Sequence, residues 1–242
     1  MAPRVVSLVP SVTETLLSWG VVPVGVTRFC EHPELPAMGG TKDPDLERIL
    51  AVAPDLVVVD REENRLPDAE ALAGAGLELH VTHVRSLADV APTLAGLREV
   101  LGLEGEGKDA AFPSPVRSER PPRAYVPIWR RPWMSISAAT YGSSLLEAAG
   151  AVNVLAGHPD PYPQVPLDQV AALAPDVVLA PSEPYPFGAR HAELFGGVAP
   201  MVLVDGKDLF WWGARTPGAL GRLQALVASL GPGRGLGPDG GW

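Results

Sequence analysis

The strongest constraint on this chain is that it carries one phrase twice. Residues 46–62 read LERILAVAPDLVVVDRE and residues 167–183 read LDQVAALAPDVVLAPSE, 121 positions further on. Leu46/Leu167, Ala51/Ala172, Ala53/Ala174, Pro54/Pro175, Asp55/Asp176, Val57/Val178 and Glu62/Glu183 are identical. Each copy begins as a short amphipathic helix that must end before Pro, because Pro cannot continue a helix and biases its predecessor towards extended backbone. An Asp then opens an apolar run that reads as a strand buried on both faces. A polar loop with a Glu closes each copy. A duplicated helix–strand–loop unit predicts two similar lobes with equivalent loops.

The flanking sequence fits two rounds of one α/β plan. In the first half, strands are expected at 5–9, 22–26, 56–59 and 77–82. Helices are expected from Thr13 to Trp19, over 46–53, over 68–75 and over 87–101. The second half repeats the order, with strands at 124–129, 177–180 and 201–204. Its helices fall at 143–149, 167–174, 189–195 and 217–230. Strands alternating with helices imply parallel pairing through crossovers. The fold class is therefore α/β: two Rossmann-like lobes with central parallel sheets. Expected boundaries are a lobe over 1–103, a linker over 104–122, a lobe over 123–231 and a mobile tail over 232–242. The start of the linker reads as helical, while Pro113, Pro115, Pro121 and Pro122 break its remainder.

Composition removes several classes of function. A net charge of −9 argues against a nucleic-acid surface. The lone Cys30 cannot form an internal disulfide. No stretch approaches the ~20 apolar residues of a membrane helix, so membrane insertion is not expected. As written the chain is expected in the cytoplasm, or outside it if a leader has been removed. No G-x-S-x-G elbow, P-loop or G-x-G-x-x-G fingerprint appears, and no catalytic residue is assigned.

Polar loops beyond the C-terminal ends of parallel strands are where open α/β sheets bind ligands. Eleven of the 15 aromatic residues lie between Tyr125 and Trp212, which points to a stacking surface for a flat ligand. Candidate ligand-binding residues are Ser11, Phe29, Arg61, Trp129, Arg130, Trp133, Tyr185, Phe187, Trp211, Trp212 and Arg215. Tyr125 and Phe195 read as core. Arg130, Arg131 and Arg215 suit a phosphate or carboxylate, and Ser11 reads first as a helix cap. Glu62, Glu63 and Glu183 could bind a cation or dock on arginines of a partner, or be ordinary solvated charges. Cys30, Glu31 and His32 would form a partial metal site if their loop folded back, although ordinary loop residues are the stronger reading. No metal is assigned.

Seven short motifs, in order, then carry a resemblance: S-L-V-P-S-x-T-E-T from Ser7, G-G-T-K from Gly39, P-D-L-V from Pro54, E-E-N-R from Glu62, I-W-R-R-P-W-M from Ile128, S-E-P-Y-P-F from Ser182 and W-W-G-A-R from Trp211. Together they resemble the periplasmic-binding-protein superfamily whose lobes are joined by one long helix. Its members include cobalamin and iron-siderophore receptors of ABC importers, in the helical-backbone metal-receptor branch. The resemblance implies a non-catalytic binding protein with a cobalamin-like or iron-chelate ligand between its lobes. It also implies an importer permease as partner, docked by Glu62 or Glu63 and Glu183. Here the helical linker is partly broken and shortened. Two alternatives remain: a cytoplasmic, chelatase-like metal-handling enzyme using Glu62, Glu183, Cys30 or His32, and a protein-interaction module.

Overall fold

The computed structural model describes residues 3–103 and 112–230, which form two compact units. One holds residues 3–84 and 88–103 together with Trp211–Arg215; the other holds Arg85–Leu87, 112–210 and 216–230. The first part of the expected linker helix and the expected mobile tail lie outside the described residues. From 112 to 122 the backbone is irregular, as its prolines require.

The first unit contains strands β1 (Val5–Ser7), β2 (Gly25–Val26), β3 (Leu56–Asp60) and β4 (Leu79–Thr82) in one parallel sheet of order β2-β1-β3-β4. Helices α1 (Pro10–Ser18), α2 (Leu46–Ala51), α3 (Leu66–Gly74) and α4 (Leu87–Val100) alternate with them. Val6, Leu8, Met38, Ile49, Val57, Val59 and Leu72 form a core cluster of this unit.

The second unit follows the same plan with β5 (Arg123–Tyr125), β8 (Val152–Asn153), β9 (Val177–Pro181) and β10 (Met201–Val204). Their parallel order, β10-β9-β5-β8, matches that of the first sheet. Its helices are α5 (Tyr141–Ala148), α6 (Leu167–Ala172), α7 (Gly206–Phe210) and α8 (Thr216–Ser229), with a 3-10 turn at Ala189–Phe195. An antiparallel hairpin of β6 (Pro127–Arg130) and β7 (Trp133–Ser135), which has no counterpart in the first unit, is inserted after β5.

The repeated phrase folds identically in both places. In each, the helix runs into an alanine with positive φ, 42° at Ala53 and 48° at Ala174. An arginine from the neighbouring strand then ties the turn down. Arg4 donates to the carbonyls of Val52 (2.7 Å) and Ala53 (3.3 Å), and its backbone N–H donates to Asp55 (2.7 Å). Arg123 does the same to Leu173 (2.8 Å), Ala174 (3.3 Å) and Asp176 (2.8 Å). Carbonyls at a helix C-terminus lack intrahelical partners and sit at the negative end of the dipole, so a guanidinium satisfies both needs. The shared Asp therefore bonds the arginine's strand as well as opening its own.

Several sequence expectations change. Helix α1 starts at Pro10, not Thr13; Pro suits the first helical position, and Val9 is the cap residue, without a side-chain cap bond. Ser11 thus sits within the first turn and is no cap. The expected strand at 22–26 shrinks to Gly25–Val26, and that at 124–129 breaks at Val126 into β5 and β6. Helix α7 was not anticipated. Thr140 caps α5, accepting from the backbone N–H of Ser143 at 3.4 Å. Among the described residues, no helix is long and apolar enough to cross a membrane.

Candidate functional site

Three segments of the first unit meet at the C-terminal ends of β1 and β2. Pro10 and Glu14 of α1, Cys30, Glu31 and His32 after β2, and Trp211 and Arg215 line a concavity of about 40 Å³. Arg215 is its electrostatic centre. Its Nε and Nη2 donate to the two carboxylate oxygens of Glu14 at 2.9 and 2.8 Å, a two-pronged pair of the kind guanidinium geometry favours. Arg215 also lies 5.8 Å from the Trp211 ring centroid, within cation–π range. The segment is anchored by Thr15, whose hydroxyl donates to the Ser11 carbonyl (2.9 Å) and accepts from the Ala214 N–H (3.1 Å). Gly213 makes this possible: its φ is +123°, and a Cβ there would stand 2.2 Å from the Thr15 hydroxyl oxygen.

The wall beside it is a hydroxyl–thiol chain. Thr13 donates towards Ser7 Oγ (2.9 Å) and the Val9 carbonyl (3.2 Å), and Cys30 Sγ donates to Thr13 Oγ1 at 3.4 Å. His32 Nδ1 lies 3.0 Å from Glu34 Oε1. A self hydrogen bond to its backbone, followed by the His32 contact, holds the Glu34 carboxyl below its ordinary range. Phe29 is exposed and carries the Arg28 guanidinium 5.3 Å from its ring centroid.

The loop after β3 is fixed from beneath. Buried Asp60 accepts from the Glu62 and Glu63 N–H groups at 2.8 and 3.3 Å, and from the Thr82 hydroxyl at 2.8 Å. Asn64 accepts from the Asp60 N–H (2.8 Å) and donates to the carbonyls of Leu8 (3.1 Å) and Thr41 (3.0 Å). Lys42 donates to the Glu62 carbonyl. The G-G-T-K stretch is thereby a packed turn beneath this loop: Gly39 has φ +83°, and a Cβ there would meet the Asp43 carbonyl at 2.6 Å. Arg61 and Glu63 are exposed, and Glu62 lies 3.9 Å from His83 Nε2.

In the second unit the aromatic residues form a graded series from core to surface. Tyr125 and Phe195 are fully buried, as expected, with centroids 6.4 Å apart. Burial pushes the Tyr125 phenol pKa up. Trp133 packs on Phe195 (5.4 Å) and stacks on Phe187 (6.3 Å, 7° between planes). Phe187 meets Tyr185 at 4.7 Å, and Tyr185 meets Trp129 edge-on at 5.7 Å. Trp129, 44% exposed, ends the series in solvent. The hairpin carries Trp129 and Trp133, and the loop after β9 carries Tyr185 and Phe187. Arg130 is half-buried beside Trp129.

Glu183 follows the end of β9 by two residues, as Glu62 follows β3, so the repeat places the two carboxylates equivalently in their units. Its side chain packs on Gly206, where a Cβ would approach Glu183 Cγ to 2.5 Å. Glu183 is half-buried.

The sequence-predicted residues thus separate. Trp211 and Arg215 come together at the concavity, whereas Trp129, Trp133, Tyr185 and Phe187 form the aromatic series. Phe187 at 6% exposure, Trp212 at 5% and Ser11 at 6% are buried, and Phe187 belongs to the core cluster. Their side chains therefore offer little surface to a ligand. Glu14, Thr15, Asp60 and Asn64 were missed as organisers of the site. The T-E-T and E-E-N-R motifs held that signal, but hydroxyl and amide pins have no periodicity to find. Among the described residues, no three His, Cys, Asp or Glu side chains gather as metal ligands.

No family model matches the chain. A vitamin B12-binding protein of Vibrio cholerae is 24% identical over 248 aligned positions, covering 95% of this chain and 89% of that protein. Another, from Vibrio parahaemolyticus, is 26% identical over 204 residues, covering 78% of this chain and 71% of its own length. Among solved structures, the periplasmic vitamin B12 binding protein of Vibrio cholerae is similar, with a TM-score of 0.74, 19% identity, and 95% and 98% of the two chains covered. The periplasmic heme-binding protein RhuT of Roseiflexus sp. RS-1 gives 0.76, 21%, 95% and 99%. Two parallel sheets of one strand order, built on a repeated turn, give this chain the α/β fold of the two-lobed periplasmic binding proteins, matched along nearly its whole length, and its sequence is similar to those of vitamin B12-binding proteins.

Proposed function

We propose that the chain is a non-catalytic receptor for a flat, metal-bearing chelate of the cobalamin or haem kind. The observation that carries this reading is Trp129, an exposed indole braced by a graded aromatic series at the strand ends of the second unit. A flexible apolar side chain would lose rotamer freedom on binding; a braced ring has already lost it. Ligand contacts are assigned to Trp129, Tyr185 and Arg130 in that unit, and to Phe29, Arg61, Trp211 and Arg215 in the other. Relatives named for vitamin B12 and heme support the ligand class. The periplasmic setting of the vitamin B12- and heme-binding proteins supports a place of action outside the cytoplasm, and likeness to an ABC transporter substrate-binding protein of Listeria monocytogenes supports delivery to an ABC importer.

Titration with cyanocobalamin, haemin and a ferric siderophore, followed by visible absorbance and tryptophan fluorescence, tests the reading. Saturable binding of at least one is expected at micromolar concentration. A flat response to all three refutes it.

For Glu62, Glu63 and Glu183 we assign docking to arginines of the importer. Their equivalent positions on the two units, two residues past matching strands, support this for Glu62 and Glu183. Charge reversal of either should leave ligand affinity unchanged and weaken association with a permease.

A further inference from the structure

Pro184 and Pro186 flank Tyr185 in the loop after β9, and neither has an N–H to tie that stretch down. The Phe187 N–H turns back to the carbonyls of Tyr185 (2.8 Å) and Pro181 (3.3 Å). The next anchor is a side chain. His191, 3% exposed, is the third residue of the 3-10 turn. Its Nδ1 accepts from the Gly188 N–H at 3.0 Å, while the Gly188 carbonyl accepts from the His191 N–H at 2.8 Å. A backbone N–H only donates, so Nδ1 is unprotonated and the ring proton sits on Nε2. The contact itself assigns the tautomer.

A side chain at the third position of a turn that reaches back to the N–H of the preceding cap residue is half of a capping box, and Glu or Gln ordinarily fills that place. Either would satisfy Gly188. The imidazole adds what they cannot, a ring that meets Tyr185 edge-on at 5.7 Å (68° between planes) and Phe187 at 5.5 Å (79°). Phe187 is also held by Trp133 and Phe195, whereas the other ring neighbour of Tyr185 outside its own loop is Trp129, the exposed end of the series. We propose that His191 is the positioning residue of the ligand wall. It acts through Tyr185, fastening the loop at Gly188 and bracing the phenol ring that backs Trp129. The inference rests on the receptor reading above and goes beyond it by naming what orders the wall before a ligand arrives.

Full-length protein is titrated with haemin and with cyanocobalamin. His191→Phe keeps an aromatic ring and removes the acceptor. It should speed hydrogen exchange at the Gly188 N–H and weaken binding of whichever probe wild type takes up by about fivefold. His191→Gln keeps an acceptor of the usual capping kind, so it should retain slow Gly188 exchange and bind between wild type and His191→Phe. In a Tyr185→Ala background His191→Phe should change affinity by less than about twofold, because the ring through which it acts is gone. Additive effects of His191→Phe and Tyr185→Ala, or wild-type affinity in His191→Phe, overturn the positioning role and leave the receptor reading standing. Long-range proton–nitrogen NMR of wild type needs no substitution: the ring proton is expected on Nε2, and a proton on Nδ1 overturns the clamp. If wild type binds neither probe, the receptor reading falls, and the clamp is decided by the tautomer and the Gly188 exchange.

Discussion

Arg215 and Glu14, 201 residues apart in sequence, are joined by two charge-assisted hydrogen bonds of 2.9 and 2.8 Å. Through this pair the W-W-G-A-R motif of the chain's second half becomes part of the first unit. The side chains are 20% and 34% exposed, so solvent screening trims the interaction. A double-mutant cycle with Arg215→Met and Glu14→Gln should give a coupling of about 1 kcal/mol in urea unfolding. Additive single effects would show that the pair contributes nothing to stability.

Gly213 is the second anchor of that segment. With φ at +123° and no room for a Cβ beside Thr15, Gly213→Ala should destabilise the protein by about 2 kcal/mol or more. Thr15→Val keeps the shape and removes the hydroxyl, leaving the Ala214 N–H without that acceptor at a cost of about 1–3 kcal/mol. Thermal unfolding reads both, and a neutral Gly213→Ala would contradict the backbone described here.

Ala53 and Ala174 make an opposite prediction. Each holds a left-handed conformation that penalises a Cβ by about 1–2 kcal/mol, and each follows a helix end where glycine is common. Ala53→Gly and Ala174→Gly should therefore each stabilise by about 0.5–1 kcal/mol, even though glycine gains more freedom in the unfolded chain. A lowered Tm for both would contradict this.

Asn64 uses its side-chain oxygen on the Asp60 N–H and its amide nitrogen on two carbonyls. Asn64→Asp keeps the acceptor but sets carboxylate oxygen against the Leu8 and Thr41 carbonyls. A loss of about 2–4 kcal/mol is expected near neutral pH, recovered in part as acid protonates the introduced group. A pH-independent loss would refute the assigned amide orientation.

The two ends of the aromatic series should respond to different assays. Phe187→Ala opens the core and should cost about 3–5 kcal/mol of stability. Trp129→Ala removes an exposed ring and should cost less than 1 kcal/mol, while weakening chelate binding about three- to tenfold. If Trp129→Ala binds as wild type does, the ligand surface lies elsewhere.

The scaffold was legible in the sequence because it repeats and because buried parallel strands are continuous apolar runs. Leu56–Asp60 and Val177–Pro181 could be read as such almost to the residue. Pro-Asp after each helix marked the same turn twice. The hairpin was not read: Ile128 and Trp129 resume the β-prone run of β5, and Pro127 in between was not taken as the break it marks. The site was legible as loops but not as contacts. Arg215 was read as an anion binder, but its pairing with Glu14 from the other end of the chain could not be read, because no spacing rule links residues so far apart. Phe187 was read as ligand surface because aromatic loops suit stacking, but alternation within a proline-rich loop does not reveal which ring turns inward.

The hairpin has a consequence for engineering. The first unit passes almost directly from β1 into α1 and uses a long excursion after β2, over 27–45. The second passes more quickly from β8 to α6 and places its excursion after β5. Beneath these unmatched excursions, the Arg4 and Arg123 turns, the strand order and the carboxylate loops form a common chassis. Sequence exchanged between the units at the matched turns should be tolerated like for like, whereas each excursion is rooted in its own unit, 27–45 through Met38 and Thr41 and the hairpin through Ser135 and Trp133. Selectivity for a new cargo would then be varied at the exposed tips alone, around Phe29 and Trp129, with the roots and the chassis left untouched.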